Sequence, residues 1–342
     1  MRKGINPAKL NDIEVGNGCF HQVVVPVYLP KLEGYYKEGL YILELCLESI
    51  YLTVHDKTFI SVVNNGSCKE VRDYLDNLMH NGKIQEVIHT TAIGKINAIA
   101  KGLAGHHFDL VTITDADVLF TNGWQKAVYD IYETFPKAGM VGTTPNPIFI
   151  NRLTENIFFD NFFNKHFKFY DISQKTGNDI ELFFKSVGWN GAKSCIHKRK
   201  AFGIKKDNTL AIIGSGHFAA TYRSNLLFRF KNNISIEKIG GGSDYEFLDQ
   251  PSIEKGHWRL TTFENYTYHM GNNVEKWMEV LFSKLYNESN QQGSLLLQDF
   301  KSNPIKKAIR IVINKYFFKK KFFKIYLSKK GLSKSQVSDF LS

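Results

Sequence analysis

Residues 20–29, FHQVVVPVYL, form an apolar, β-branched run that predicts a first strand, followed by a loop opened at Pro26. From Glu38 to Ile50 the apolar positions Leu40, Ile42, Leu43, Leu45, Cys46, Leu47 and Ile50 recur as they would on a helix laid against a sheet. FISVVNNGS (59–67) predicts a second strand ended by the turn signal Asn-Asn-Gly-Ser. In the following KEVRDYLDNLMH, Val71, Tyr74, Leu75 and Leu78 share a helical face, with Ser67 placed as the cap and Glu70 three residues on. A short strand over 84–89, a helix in KINAIAKGLAGH and a strand in VTITDADVLF (111–120) come next, then a helix in QKAVYDIYETF and a strand in GMVGTTP. This alternation predicts an α/β fold with a mainly parallel sheet covered by helices on both faces. Residues 149–205 show no clear period; strands resume at 209–216 and in WRLTTF and NYTYHM, between 258 and 270.

In a parallel sheet the ligand crevice lies at the carboxyl ends of the strands. The strand 111–120 carries Asp115 and Asp117 there, separated only by Ala116. Strand alternation gives both carboxylates one side, so both can address one divalent cation, and hard oxygen ligands favour magnesium or manganese at a phosphate. A bare D-x-D equally suits one turn-capping and one solvated aspartate, so the surrounding segments have to decide.

The 342 residues are 43% hydrophobic and 14% aromatic, enough to fill a substantial core. The formal charge of +11 is local: twelve of the 44 Lys and Arg lie between Lys301 and Ser338 with no acid among them, which leaves a nearly neutral body. Cys19, Cys46, Cys68 and Cys195 have no metal-ligand spacing and suit a reducing compartment. The first residues have no apolar core for a signal peptide, and no run of eighteen uncharged apolar residues occurs, so a cytoplasmic protein is expected.

The segments VVVPVY, LELCLESI, VVNNGS, GKINAIAKGL and ITDADVLFTNGW, in that order over residues 21–124, resemble glycosyltransferases of the GT-A fold, similar to the family-2-like enzymes that use nucleotide sugars. The resemblance implies a catalytic domain over 1–285, with a nucleotide-sugar half (18–145) and an acceptor half (146–285), followed by a basic helical tail (286–342). It implies that the backbone beside Pro26 and Val27 holds the nucleotide, with Asn64 where the family usually has an acid facing the base. Lys95 and Asn97 would lie near the diphosphate, Asp115 at the ribose or the metal shell, and Asp117 on a manganese or magnesium ion. Lys95 has its own warrant, since a cation there stabilises charge growing on a leaving diphosphate.

GGGSDYEFLDQPSIEKGHWRLTT (240–262) resembles the family's acidic helix start, with Ser243 in place of the usual glutamate and Asp244 twelve residues before Gly256. This implies inverting transfer with Asp244 as the general base that takes the acceptor proton. Glu246 and Asp249 are the other carboxylates in reach, Asp249 with an arginine as its orienting partner. By the same resemblance His269 closes the metal shell or meets the diphosphate, and Gly216, His217, Phe218, Gly242, Asp249 and Trp258 line the donor-sugar and acceptor pocket.

In the tail, Ile305, Ile309, Val312, Ile313 and Tyr316 form a stripe, with Phe317, Phe318, Phe322 and Phe323 between lysines. Residues 305–330 therefore suit an anionic membrane surface, consistent with a lipid-linked glycan acceptor and a peripheral place on the inner face of the cell membrane. Packing on the catalytic domain or on another protomer, as in a homo-oligomer, is the alternative; nucleic acid is not expected, because the neutral body offers no basic groove. Two further functions stand beside glycosyl transfer. One is sugar-phosphate nucleotidyl transfer, although PVYLPKLEG lacks the glycine-rich basic loop of those enzymes. The other is glycan binding or assembly by a degenerate transferase domain.

Overall fold

The computed structural model describes residues 4, 18–174, 177–188, 195–231, 233–237, 240, 242–288, 295–300 and 319–341. The elements run β1 (His21–Val27), α1 (Gly39–Thr53), β2 (Thr58–Asn65), α2 (Lys69–His80), β3 (Glu86–Thr90), α3 (Lys95–Leu103), β4 (Leu110–Thr114), β5 (Val118–Phe120), α4 (Trp124–Thr134) and β6 (Ala138–Gly142). They continue with α5 (Glu155–Asn161), β7 (Phe167–Asp171), α6 (Gly177–Ser186), β8 (Lys200–Lys206), β9 (Thr209–Ile213) and β10 (Ala219–Arg223). A π-helical turn (Tyr245–Asp249) then runs into α7 (Gln250–Glu254), followed by β11 (Trp258–Thr262), β12 (Thr267–His269) and α8 (Lys276–Phe282).

Ten strands form one sheet in the order β3-β2-β1-β4-β10-β6-β11-β9-β8-β7. The pairings β3-β2-β1-β4 and β6-β11 are parallel, and β10, β9 and β7 run against the others, so the expected mainly parallel α/β sheet is what forms. Its first strand explains why HQVVVPV is apolar throughout. Val23, Val25 and Val27 face the core shared with α1, whereas Val24 faces Ile96 and Ile99 of α3, so side chains on both sides of the pleat are buried.

Several expectations are corrected. The strand 111–120 is not continuous: β4 ends at Thr114, and β5 leaves the main sheet to pair antiparallel with β12, Val118 opposite His269. Asp115, Ala116 and Asp117 therefore form the turn between two sheets. Ser67 does not cap α2, whose N-cap is Cys68; its hydroxyl instead accepts from the N–H of Leu29 at 3.0 Å and ties down the loop after β1. In the stretch without a clear period, β7 and β8 pair antiparallel at the sheet edge across a connection that carries α6, while residues 175–176 and 189–194 lie outside the described residues.

The described part of the tail does not stand apart from the body. Helix Lys320–Lys329, helix Lys334–Phe340 and the turn between them bury Phe323, Tyr326, Leu327, Leu332, Val337 and Phe340 in the core that also holds Phe158, Phe167, Phe169 and Phe202. Ring contacts of Phe323 with Phe158 at 5.6 Å and of Phe340 with Phe169 at 5.1 Å close the β7 end of the molecule. The stripe from Ile305 to Tyr316, with Phe317 and Phe318, lies outside the described residues. No described helix is long and apolar enough to cross a membrane.

Candidate active site

The carboxyl ends of β1, β2 and β4 open into a cavity of about 450 Å³ lined by Pro26, Val27, Tyr28, Tyr35, Tyr36, Asn65, Gly94, Lys95, Asp115, Asp117 and Asn272 among others. A second cavity, of about 700 Å³, takes in Arg152, Phe183, Gly216, His217, Phe218, Tyr245, Asp249 and His269. Asp115 lines both, so the two are adjoining chambers that meet at the turn after β4.

The backbone fixes that turn. The N–H of Asp115 donates to the carbonyl of Phe218 at 2.8 Å, and the N–H of Met270 donates to the carbonyl of Asp117 at 2.8 Å. One aspartate is thus tied to the start of β10 and the other to the end of β12. Lys95, the first residue of α3, places its Nζ 2.6 Å from Asp115 Oδ1 and 3.5 Å from Asp244 Oδ1. Burial works against the ammonium charge, but the carboxylates of Asp115 and Asp244 outweigh it and raise the Lys95 pKa above the ordinary lysine value. Gly94, before it, supplies no side-chain cap, so the first N–H groups of α3 remain available to an anion beside the ammonium.

His269 Nε2 lies 3.5 Å from Asp117 Oδ2. Burial pushes the Asp117 carboxyl above the usual carboxylate range, His269 pulls it back, and the charge of Asp115 adds to the rise. Asp117 Oδ1 and His269 Nδ1 are both buried without a hydrogen-bond partner, an arrangement that costs free energy unless a ligand engages them. Among the described residues no group of three or more His, Cys, Asp and Glu converges as a complete ligand set. Asp117 and His269 fit a divalent ion that draws its other oxygens from a bound diphosphate, as magnesium commonly does.

In the second chamber Asp249 lies 3.0 Å from His217 Nδ1 and accepts from Arg259 Nη2 at 2.7 Å. Arg259 is the orienting arginine expected for Asp249. Burial alone would lower the His217 pKa, but the Asp249 carboxylate outweighs it and the net shift is upward. Phe218 stacks on Phe183 at 5.1 Å and meets the His269 ring edge-on at 5.9 Å.

Pro26, Val27, Lys95, Asp115, Asp117, Asp244, His269, Gly216, His217, Phe218 and Asp249 are brought to these chambers or their rim. Four expected residues are not. Asn64 is buried beneath the cavity, its Oδ1 accepting from the N–H of Ser67 and its Nδ2 2.9 Å from His89; its neighbour Asn65 lines the cavity instead. Asn97 is spent on structure, bonding the carbonyl of Ile93 and both backbone groups of Ser235. Gly242 is exposed with open space around it. Trp258 lies in a separate groove with Phe135 and Phe300, where its Nε1 donates to Asp160 at 2.8 Å, because it begins β11 at the end remote from the chambers. Glu246 is drawn away by Arg229.

Sequence reasoning missed Tyr28, Tyr35 and Tyr36, an aromatic wall of the first chamber. The tyrosines in YLPKLEGYY, directly after the first strand, were the available signal. It also missed Arg152 and Phe183, which come from the stretch without a period.

Residues 35–184 match the model of glycosyl transferase family 2. No curated protein matches the chain. Among solved structures, mannosyltransferase PcManGT from Pyrobaculum calidifontis, in complex with GDP-Man and Mn2+, is similar at 16% identity and TM-score 0.44, over 94% of this chain and 73% of that one. TarS 1-349 from S. aureus, in complex with UDP-GlcNAc, is similar at 13% identity and TM-score 0.42, over 94% of this chain and 70% of that one. The family match, together with the sheet and its rim, carries the assignment, and these distant likenesses add nothing to it. Residues 35–184, less than half of the chain, are similar to glycosyl transferase family 2, and with the mixed α/β sheet around them they support a glycosyltransferase with a GT-A-like fold.

Proposed function

We propose that the protein moves a sugar, with inversion, from a nucleotide-diphosphate sugar in the first chamber to a hydroxyl of a glycan or lipid-linked glycan in the second. The observation that carries this reading is Lys95, whose ammonium bridges Asp115 of the D-x-D turn and Asp244. In this reading the nucleoside lies along Pro26 and Val27 with its base against the tyrosine wall. Asp117 and His269 would hold manganese or magnesium, which withdraws electron density from the departing diphosphate. Lys95 and the N-terminus of α3 stabilise the charge that grows on the same group. As the acceptor oxygen bonds to the anomeric carbon, the bond from that carbon to the diphosphate breaks, and the hydroxyl proton passes to Asp244. In the second chamber Phe218 offers a sugar ring an apolar face, and His217, held by Asp249, offers it a hydrogen bond. A lipid-linked acceptor would put the enzyme on the inner face of the cell membrane.

A screen of nucleotide sugars for manganese-dependent release of nucleoside diphosphate tests the proposal. One donor should be consumed by the parent protein, with little or no consumption by Asp117→Asn. Equal release by parent and variant would remove the assignment.

A further inference from the structure

Two segments far apart in sequence build an exposed aromatic surface at the β7 end of the molecule. Phe163, just after α5, is 93% exposed, and Phe322 and Ile325 on helix Lys320–Lys329 are 57% and 49% exposed. Tyr326 joins the two segments that carry them: its ring lies 4.9 Å from that of Phe162, its hydroxyl donates to the Phe162 carbonyl at 3.3 Å, and Phe162 in turn packs on Phe163 at 4.9 Å. Lys330 donates to the Asn164 carbonyl at 2.8 Å and pins the same two segments together. Folding buries the other face of this helix, including Phe323 and Leu327, so the aromatic groups left outside are not an incomplete core.

The sequence on either side of the patch is rich in lysine. Residues 161–170 contain Lys165 and Lys168 and no carboxylate, and residues 319–338 contain seven lysines and no carboxylate. Exposed aromatic rings ringed by lysines match the interface of a bilayer, where the rings enter the boundary region and the ammonium groups meet anionic head groups. A second copy of this chain would bring the same lysines face to face, which disfavours self-association as the occupant.

We propose that Phe163, Phe322 and Ile325, framed by Lys165, Lys321 and Lys324, form a docking surface for an anionic lipid bilayer. The surface reaches beyond the tail to a loop of the acceptor half, and it stands on exposure and charge without drawing on the catalytic reading. Each lysine near such a membrane strengthens binding about fivefold, so the framing lysines set a preference for anionic lipid and the rings set the depth.

The test is co-sedimentation of the full chain with phosphatidylglycerol vesicles and with phosphatidylcholine vesicles. The parent protein should bind the first and not the second. Phe163→Ser combined with Phe322→Ser, and separately Lys321→Glu combined with Lys324→Glu, should each weaken binding by about tenfold or more. Their thermal midpoints should stay close to the parent's, because Phe163, Lys321 and Phe322 are exposed and Lys324 is only half-buried. Parent binding that both variants retain, no parent binding to either vesicle, or a lipid-free dimer that the Phe163→Ser change dissociates would each overturn the proposal.

Discussion

At the residue scale, the site depends on carboxylates whose partners decide their work. Asp244 lies 3.5 Å from the Lys95 ammonium, whereas Glu246 is held by Arg229 at the surface. Asp244→Asn should therefore cut turnover by about a hundredfold or more while leaving nucleotide affinity unchanged, and Glu246→Gln should do neither. Initial rates set beside nucleotide titrations separate the two effects. Trp258→Phe should spare turnover and cost about 1 kcal/mol of stability, because the indole bonds Asp160 in a groove remote from the chambers. Chemical denaturation and a rate assay on the same preparation check that pair of outcomes.

At the element scale, the loop after β2 shapes the first chamber. Gly66 has a φ of +84°, and a Cβ there would lie 2.8 Å from the backbone nitrogen of Ala92 in the loop that leads to Lys95. Gly66→Ala should cost about 1–3 kcal/mol in urea unfolding and weaken nucleotide binding through the displaced loop. A variant with parent stability and parent affinity would show that this close approach does not matter.

The elements that were legible in the sequence are those with a pattern. The βα units from β1 to α4 could be read because β1, β2, β4 and β5 are buried on both faces and the helices on one, which leaves runs and stripes of apolar residues. Asp115, Asp117 and Lys95 could be read because they sit where such strands and helices meet. The β7–β8 pair could not, since FKFYD and KAFGIKK mix lysines with aromatic residues at a sheet edge under the C-terminal helices, and a helix separates them in sequence. Asn64 and Asn97 are polar residues at the right place in sequence whose hydrogen bonds are made to the fold, and only the three-dimensional partners reveal it. Trp258 begins its strand at the far edge, a direction of travel that sequence does not give.

At the scale of the whole molecule, stability should depend on acid. His21 is buried among Tyr129, Thr112 and Gln125, and burial holds its pKa well below the ordinary histidine value, with His55 adding to the effect. Burial also lowers His55 and His257, each to about 4. These imidazoles stay neutral in the fold but gain protons in the unfolded chain as pH falls below about 6.5, so the unfolded state binds more protons and stability drops. The contribution is fully present above pH 6.5 and is lost progressively toward pH 4 for His55 and His257. Thermal midpoints should therefore fall from pH 7 to pH 5, and a His257→Gln variant should show a shallower fall; a flat parent profile would contradict this.

The central claim is that a nucleoside diphosphate and a divalent ion are gripped together at the turn between β4 and β5. Its most direct test is calorimetric titration of uridine and guanosine diphosphates into the protein with and without manganese, repeated with Asp117→Ala. The account predicts that manganese tightens one of the two by about tenfold or more in the parent protein and has no such effect in the variant. Nucleotide binding that ignores manganese, or a manganese effect that survives loss of the Asp117 carboxylate, would contradict it.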